Sequence, residues 1–207
     1  LAIGSDTAQA KPGDILEYGT GAGSAAFVLG NNSDEAVAII EATLSYSSDT
    51  PDFWRRNNQL YPEHANRFTG QPSYFEHVIK TTNAILAKTE TKISDFDFVI
   101  FHQPNSKFPL SAAKKLGVTK EQIMPGLLVP IIGNTYSASS PISLAAVLDQ
   151  AKPNQKILMV SYGSGSGCDA FTIKTTTLIS DKQKLAPTTQ SYIDKKEYLT
   201  YEAYRKR

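Results

Sequence analysis

Three short stretches carry residue types that could act on an acyl group. In the first, the apolar run Phe98–Phe101 leads directly into His102-Gln103-Pro104-Asn105. The run is too short for a typical helix and rich in aromatic and β-branched residues, so it predicts a buried parallel strand. Side chains at the carboxyl ends of such strands line the crevices where α/β proteins bind ligands. An imidazole is well suited to hold or move a proton near neutral pH, and Gln103 and Asn105 add neutral hydrogen-bonding groups beside it. The second stretch is Gly133-Asn134, just ahead of an apolar helical segment, and the third is the loop Gly163-Ser164-Gly165-Ser166-Gly167. An imidazole and an amide that converge on one carbonyl oxygen stabilise an enolate or oxyanion, and a glycine loop lets backbone N–H groups approach the same acyl group. Together the three suit thioester chemistry. Taken singly, each has a plainer reading: His102 as a structural histidine, Asn134 as a turn residue, the glycine loop as a hairpin.

The elements that must position these residues follow from pattern. Gly19, Gly21 and Gly23 look like a phosphate loop, but they precede a strand, whereas a nucleotide fingerprint follows a strand and opens a helix. Close backbone packing accounts for them better. Strands at Ala25–Leu29 and Ala36–Ser45, separated by a turn at Asn31–Asp34, predict a hairpin. Residues 46–72 are polar and aromatic without a period and form an excursion that could cover a site. A helix is predicted from Pro72 to about Lys88, and another from Lys107 to Leu116, stopped by Gly117. Thr119 to Gln122 caps a short turn. Ser139-Ser140-Pro141 opens a helix through Ala151 with a serine cap; it is apolar nearly all round and needs cover on every side. Lys156–Tyr162 and Cys168–Thr176 read as antiparallel strands, and the polar last thirty residues, with Tyr192, Tyr198, Tyr201 and Tyr204, as one peripheral helix.

Composition excludes several function classes. The 207 residues carry 21 Lys and Arg against 20 Asp and Glu, so there is no basic field for nucleic acid, and the small basic tail Tyr204-Arg205-Lys206-Arg207 reads as solvated. A single cysteine, Cys168, excludes an intrachain disulfide framework and fits a reducing cytoplasm. It begins a returning strand, not a helix N-terminus that would lower its pKa, and reads as a packing residue. No apolar run approaches membrane-spanning length. His64, His77 and His102 lack compact ligand spacing, so no metal site is predicted; His64 near Arg67 could lie by a substrate entrance, and His77 reads as a partly exposed helix residue. Leu1 opens the chain without a methionine or a leading element, which predicts a missing front.

Phe101-His102-Gln103-Pro104-Asn105-Ser106-Lys107-Phe108-Pro109, Gly133-Asn134-Thr135-Tyr136-Ser137 and Tyr162-Gly163-Ser164-Gly165-Ser166-Gly167 together resemble the archaeal type of hydroxymethylglutaryl-CoA synthase, a thiolase-fold enzyme. Ser5-Asp6-Thr7-Ala8-Gln9 and Arg67-Phe68-Thr69-Gly70-Gln71-Pro72-Ser73-Tyr74-Phe75 are similar to the same family. Type III ketoacyl synthases share the His-Gln-x-Asn and Gly-Asn motifs. The resemblance implies an α/β, thiolase-like fold comprising the C-terminal half plus the last strands of the N-terminal half. Residues 1–45 would end the N-terminal half as a hairpin, 46–176 would form the C-terminal half, and 177–207 a polar C-terminal segment.

The implied reaction belongs to the mevalonate route to isoprenoids. An acetyl group passes from acetyl-CoA to an enzyme cysteine, a glutamate removes a proton from it, it attacks the ketone of acetoacetyl-CoA, and hydrolysis releases the product. His102 would be the catalytic histidine that binds the acetoacetyl group, and Asn134 would assist the thioester oxygens. Lys107 would lie near the CoA phosphates, the alternative being a solvated lysine, and Arg67, Asn105, Gly163, Ser164 and Gly165 would contribute to substrate or CoA binding. No metal or cofactor beyond the CoA substrates is implied. The family's cysteine and glutamate lie upstream of Ser5, so the expected partners are the missing N-terminal segment, a second copy in a homodimer, an acetoacetyl-CoA thiolase and a small acyl-CoA-binding bridging protein, in the cytoplasm, with neither nucleic acid nor membrane. The rivals are a non-catalytic thiolase-fold subunit that binds acyl-CoA or scaffolds an assembly, and a condensing enzyme of the type III ketoacyl synthase kind.

Overall fold

The structure, a computed structural model, describes residues 1–7 and 10–206. Ala8, Gln9 and Arg207, which belong to two of the stretches named above, lie outside the described residues, as does the side chain of Ser166. The apolar run forms strand β6 (Phe98–Phe101) at one edge of a four-stranded sheet of order β3-β8-β7-β6. β6 runs parallel to β7 (Lys156–Gly163), β7 antiparallel to β8 (Gly165–Thr175), and β8 antiparallel to the long edge strand β3 (Ala38–Thr50). Alternation along the strands sorts side chains onto two faces. Val99, Phe101, Leu158, Val160 and Ala170 meet the helices α1 (Phe75–Lys88) and α2 (Lys107–Leu116) on one face. Ile100, Ile157 and Ile173 meet Leu144 and Val147 of helix α5 (Ser139–Leu148) on the other.

Helix α5 receives its cover from within this chain. Its second face, Ile142 and Ala146, packs with Leu128, Ala138 and Ile193, and with Ala25 of strand β2 (Ala22–Phe27). The expected hairpin between residues 25–29 and 36–45 does not form. β2 pairs antiparallel with β1 (Ala2–Thr7), and β3 pairs with β8. The partner is chosen by long-range packing: β2 presents its small residues to α5, where Gly23 leaves room that a Cβ would take from Ile142.

Two helix starts also differ from expectation. Gln71 is extended (φ −127°, ψ 114°), as the residue before a proline prefers, so the chain kinks within Thr69–Tyr74 and regular helix α1 begins at Phe75. The serine cap on α5 is absent: Ala138 occupies the N-cap, and Ser139, inside the helix, accepts a hydrogen bond from the Gln103 N–H at 3.1 Å. The predicted single C-terminal helix is divided into α6 (Ile179–Lys182), α7 (Thr189–Ile193) and α8 (Tyr201–Arg205). Pro187 breaks the run, and Thr188 and Thr200 each cap a new start. Smaller elements include a two-residue ribbon of β4 (Phe53–Trp54) and β5 (Glu63–His64) in the excursion, single turns α3 (Lys120–Ile123) and α4 (Val129–Ile132), and short 3-10 turns such as Ile15–Tyr18.

Gln103 ties these parts together. Its buried amide donates to the Gly126 carbonyl (2.6 Å) and to Ser143 Oγ (2.9 Å), and its Oε1 accepts from the N–H groups of Leu128 (2.9 Å) and Val129 (3.0 Å). Gln103→Leu keeps the volume but leaves those groups without partners. We expect it to destabilise the chain by about 3 kcal/mol or more, read as a lower urea midpoint, given roughly 1–3 kcal/mol per unsatisfied buried group. An unchanged midpoint would mean that the network is not holding the fold.

Candidate active site

The carboxyl ends of β6 and β7, the excursion, the glycine-rich segment and the loop before α5 enclose a cavity of about 570 Å³. His102 and Asn134 both line it, together with Asn105, Ser164, Arg67 and Tyr162. His102 extends the β6 pairing through its N–H to the Val160 carbonyl (3.0 Å), and its own carbonyl accepts from the Tyr74 hydroxyl (2.8 Å). Both backbone groups are thereby fixed. The side chain is buried, and among the described residues neither ring nitrogen has a hydrogen-bond partner. Burial without a counter-charge pushes its pKa down to about 4. At neutral pH the ring is uncharged, with one nitrogen free to donate and the other to accept.

Asn134 is placed by its backbone. Its N–H donates to the Gly19 carbonyl (2.7 Å) and its carbonyl accepts from the Gly21 N–H (2.8 Å), so the glycine-rich segment is strapped against the Asn134 turn. This contact is why glycines stand here: a Cβ on Gly21 would run into the Ile132 carbonyl oxygen, and Gly133, at φ +74°, lies in the left-handed region. Packing, not phosphate binding, accounts for them. The Asn134 Oδ1 accepts from the Tyr136 N–H (2.9 Å), which leaves Nδ2 as the side-chain group available to donate.

The other sequence-predicted residues separate. Arg67 is exposed at the cavity wall, near His64, whose Nδ1 accepts from the Asn66 N–H (3.1 Å). Asn105 lines the cavity while its Oδ1 accepts from the Phe108 N–H (3.0 Å) at the start of α2. Ser164 lines it too, but Gly163 and Gly165 sit in the β7–β8 turn, with Gly163 opposite Gly167, and do not. Lys107 is exposed on the first turn of α2 and is not part of the lining.

Two further histidine and cysteine expectations meet different fates. His77 is fully buried rather than partly exposed, because it falls in the stripe of α1 that also carries Val78, Thr81 and Ile85. Its Nδ1 faces the Ser73 carbonyl (2.7 Å) and must donate there; Nε2 then accepts from the Ser48 hydroxyl (3.0 Å). Cys168 lies in the core with its thiol pushed up to about 12, chiefly by burial. It behaves as a packing residue. Among the described residues no group of His, Cys, Asp or Glu could hold a metal ion.

Sequence reasoning missed Tyr74, Asp52 and Tyr162. The fully buried Asp52 accepts the Tyr162 hydroxyl on Oδ2 (2.9 Å), while its Oδ1 has no partner among the described residues. Burial and then the Asp52 charge raise the Tyr162 hydroxyl above its ordinary pKa. The Tyr162 ring centre is 6.2 Å from that of His102. A signal existed for Tyr162, since parallel pairing of 98–101 with 157–160 brings the ends of both strands to one edge. For Asp52 there was none in an aperiodic stretch.

Comparison with known proteins bears on the family and the fold. Residues 86–175 match the family model of the C-terminal part of 3-oxoacyl-[acyl-carrier-protein] synthase III. Over 206 residues, all of this chain, the sequence is 52% identical to the hydroxymethylglutaryl-CoA synthase of Thermococcus onnurineus. The chain is similar over its whole length to archaeal hydroxymethylglutaryl-CoA synthases, and its family-model match is to a C-terminal part. It spans 59% of the length of that relative. A solved hydroxymethylglutaryl-CoA synthase complexed with CoA superposes with a TM-score of 0.72 at 24% identity, covering 96% of this chain and 61% of the other. MvaS in complex with 3-hydroxy-3-methylglutaryl coenzyme A gives a TM-score of 0.82 at 17% identity, covering 99% of this chain and 58% of the other. At those identities the two structures establish the fold, which is the thiolase-like mixed α/β fold of the synthase family.

Two outcomes test the electrostatics. The folded pKa of His102, about 4, lies below the roughly 6.5 of an unfolded histidine. The unfolded chain therefore binds the extra proton between those values, and the stability associated with a neutral ring is complete above about pH 6.5 and is lost as pH falls towards 4. From pH 7 to pH 4, stability in urea should fall by about 3 kcal/mol more for the parent chain than for His102→Gln. Equal losses would place the ring in a solvated site. Cys168 should resist a thiol reagent at pH 8 in the folded chain and react once the chain is unfolded in urea; rapid labelling of the folded chain would contradict its burial.

Proposed function

We propose that this chain supplies the acceptor-binding side of a hydroxymethylglutaryl-CoA synthase, which condenses acetyl-CoA with acetoacetyl-CoA and, by hydrolysis with one water, gives hydroxymethylglutaryl-CoA and CoA. The observation that carries this reading is the pairing of a buried, uncharged His102 with Asn134 on one cavity, in a chain 52% identical to a named synthase. A neutral imidazole N–H and an amide N–H are donors that neither consume nor supply a net charge. Directed at the carbonyl oxygens of the acetoacetyl thioester, they stabilise the negative charge that develops as the acetyl carbon attacks the ketone. Tyr74 and Asp52 act behind them, Tyr74 by holding the His102 backbone and Asp52 by orienting Tyr162. Arg67, Asn105 and Ser164 contact the acyl-CoA, Gly163 and Gly165 shape the turn that presents Ser164, and Lys107 meets the CoA phosphates outside the cavity.

The acetyl-carrying thiol is assigned to a cysteine outside these 207 residues, because Cys168 is buried with a raised pKa. The base that removes the acetyl proton is assigned there too. In this scheme residues 1–45 complete an N-terminal half, 46–176 form the C-terminal half and 177–207 a peripheral segment. The working enzyme would be a homodimer that associates with an acetoacetyl-CoA thiolase through a small acyl-CoA-binding protein in the cytoplasm; among the described residues no helix is long and apolar enough to cross a membrane. The family-model match over 86–175 favours one second reading, a type III ketoacyl synthase, and acceptor preference separates the two.

In the complete enzyme, His102→Ala should leave acetylation by acetyl-CoA largely intact and slow condensation by on the order of a hundredfold or more. Single-turnover measurement of each step makes the distinction. Near-normal condensation would remove His102 from the mechanism, and preference for an acyl-carrier-protein acceptor over acetoacetyl-CoA would favour the ketoacyl synthase reading.

A further inference from the structure

We infer that the C-terminal helix α8 is a strap on the cavity, with Tyr201 and Arg205 acting through Glu17 as positioning residues for the wall formed by Ile15, Leu16 and Thr20. Glu17 is the pivot. Its side chain is only 4% exposed although it carries a carboxylate, and such a group persists in a buried setting only when it is paired. Its Oε2 accepts from the Gly13 N–H (2.6 Å) and from the Tyr201 hydroxyl (3.0 Å), and its Oε1 faces the Arg205 guanidinium at 3.9 Å. The Tyr18 and Tyr201 rings stack alongside, with centres 6.4 Å apart and planes 22° from parallel. Helix α8 has no buried residue of its own, so these contacts are what dock it.

From Glu17 the connection to the site is short and made of backbone. The Thr20 hydroxyl donates to the Glu17 carbonyl (3.2 Å), and the Thr20 N–H donates to the Leu16 carbonyl (3.0 Å). The next residues on either side, Gly19 and Gly21, hold the Asn134 backbone from both directions. Ile15, Leu16, Gly19 and Thr20 line the cavity. A tyrosine and an arginine more than 180 positions away in sequence therefore brace the segment that both walls the cavity and seats Asn134. Without α8, the Glu17 carboxylate loses two of its partners and is drawn towards water, and the wall moves with it. The strap itself is independent of what the cavity binds; its effect on CoA rests on the synthase reading.

The test uses hydrogen exchange on the 207-residue chain, on Tyr201→Ala, and on a chain ending at Lys196. Amides of residues 16–21 and of Asn134 should exchange about tenfold faster in both altered chains, the scale expected for losing one or two hydrogen bonds, while the amides of β6 and β7 keep their protection. Tyr201→Phe, which retains the ring stack and loses the hydroxyl, should fall between. Unchanged exchange at 16–21, or acceleration spread equally over β6 and β7, overturns the strap. CoA titration by calorimetry supplies the second arm: affinity in the altered chains should be weaker by about fivefold with the parent chain as reference. Faster local exchange with equal CoA affinity in all chains limits the strap to the wall and overturns its role in ligand capture, and faster local exchange with no CoA binding by any chain leaves the strap standing and counts against the synthase reading.

Discussion

The side-chain amide of Gln103 is the constraint on which the rest of the site depends. A glutamine amide has two N–H donors and an oxygen with two lone pairs, and here all of them are engaged by Gly126, Ser143, Leu128 and Val129. Its backbone N–H adds a bond to Ser139. One residue at the end of β6 thus holds α5 and the 126–129 turn, and that turn leads through α4 into Gly133-Asn134. The residue beside it, His102, and the residue at the far end of the turn, Asn134, are consequently set by the same interaction. In a dry interior such a network is stiff because every member would lose its partner if any one moved.

Burial decides what the site can do. An exposed histidine would titrate near neutrality; His102, buried and without a counter-charge, remains uncharged down to about pH 4. A ring in that state donates a hydrogen bond without bringing a positive charge that would have to be solvated, which suits an oxygen whose negative charge appears only during reaction. The same burial raises the Tyr162 hydroxyl and the Cys168 thiol, so neither serves as a ready nucleophile or base at neutral pH. The cavity is lined by hydrogen-bonding groups and by aromatic and aliphatic surface, with Arg67 at its exposed side.

Close backbone contact supplies the remaining order. The glycine-rich segment reaches Asn134 because neither Gly21 nor Gly133 has a side chain to hold the two strands of backbone apart. Residues far apart in sequence, from Gly13 to Arg205, meet around that contact through Glu17. A carboxylate buried beneath the last helix couples the C-terminal end of the described chain to a wall of the cavity.

Much of this was legible locally. The α2 helix from Lys107 to Leu116, its stop at the left-handed Gly117, the Thr119 capping box and the β6 strand all follow from residues within one turn or one run, where steric and capping preferences act without reference to the rest of the molecule. The motif residues His102 and Asn134 were likewise visible as chemistry at element ends. What only the tertiary structure decided was which distant groups met: β2 with β1 rather than β3, Ser139 with Gln103 rather than as a cap, Asp52 with Tyr162, and His77 inside rather than at the surface. Those outcomes depend on shape complementarity and on the requirement that buried polar groups find partners, and neither is a property of any short segment of sequence.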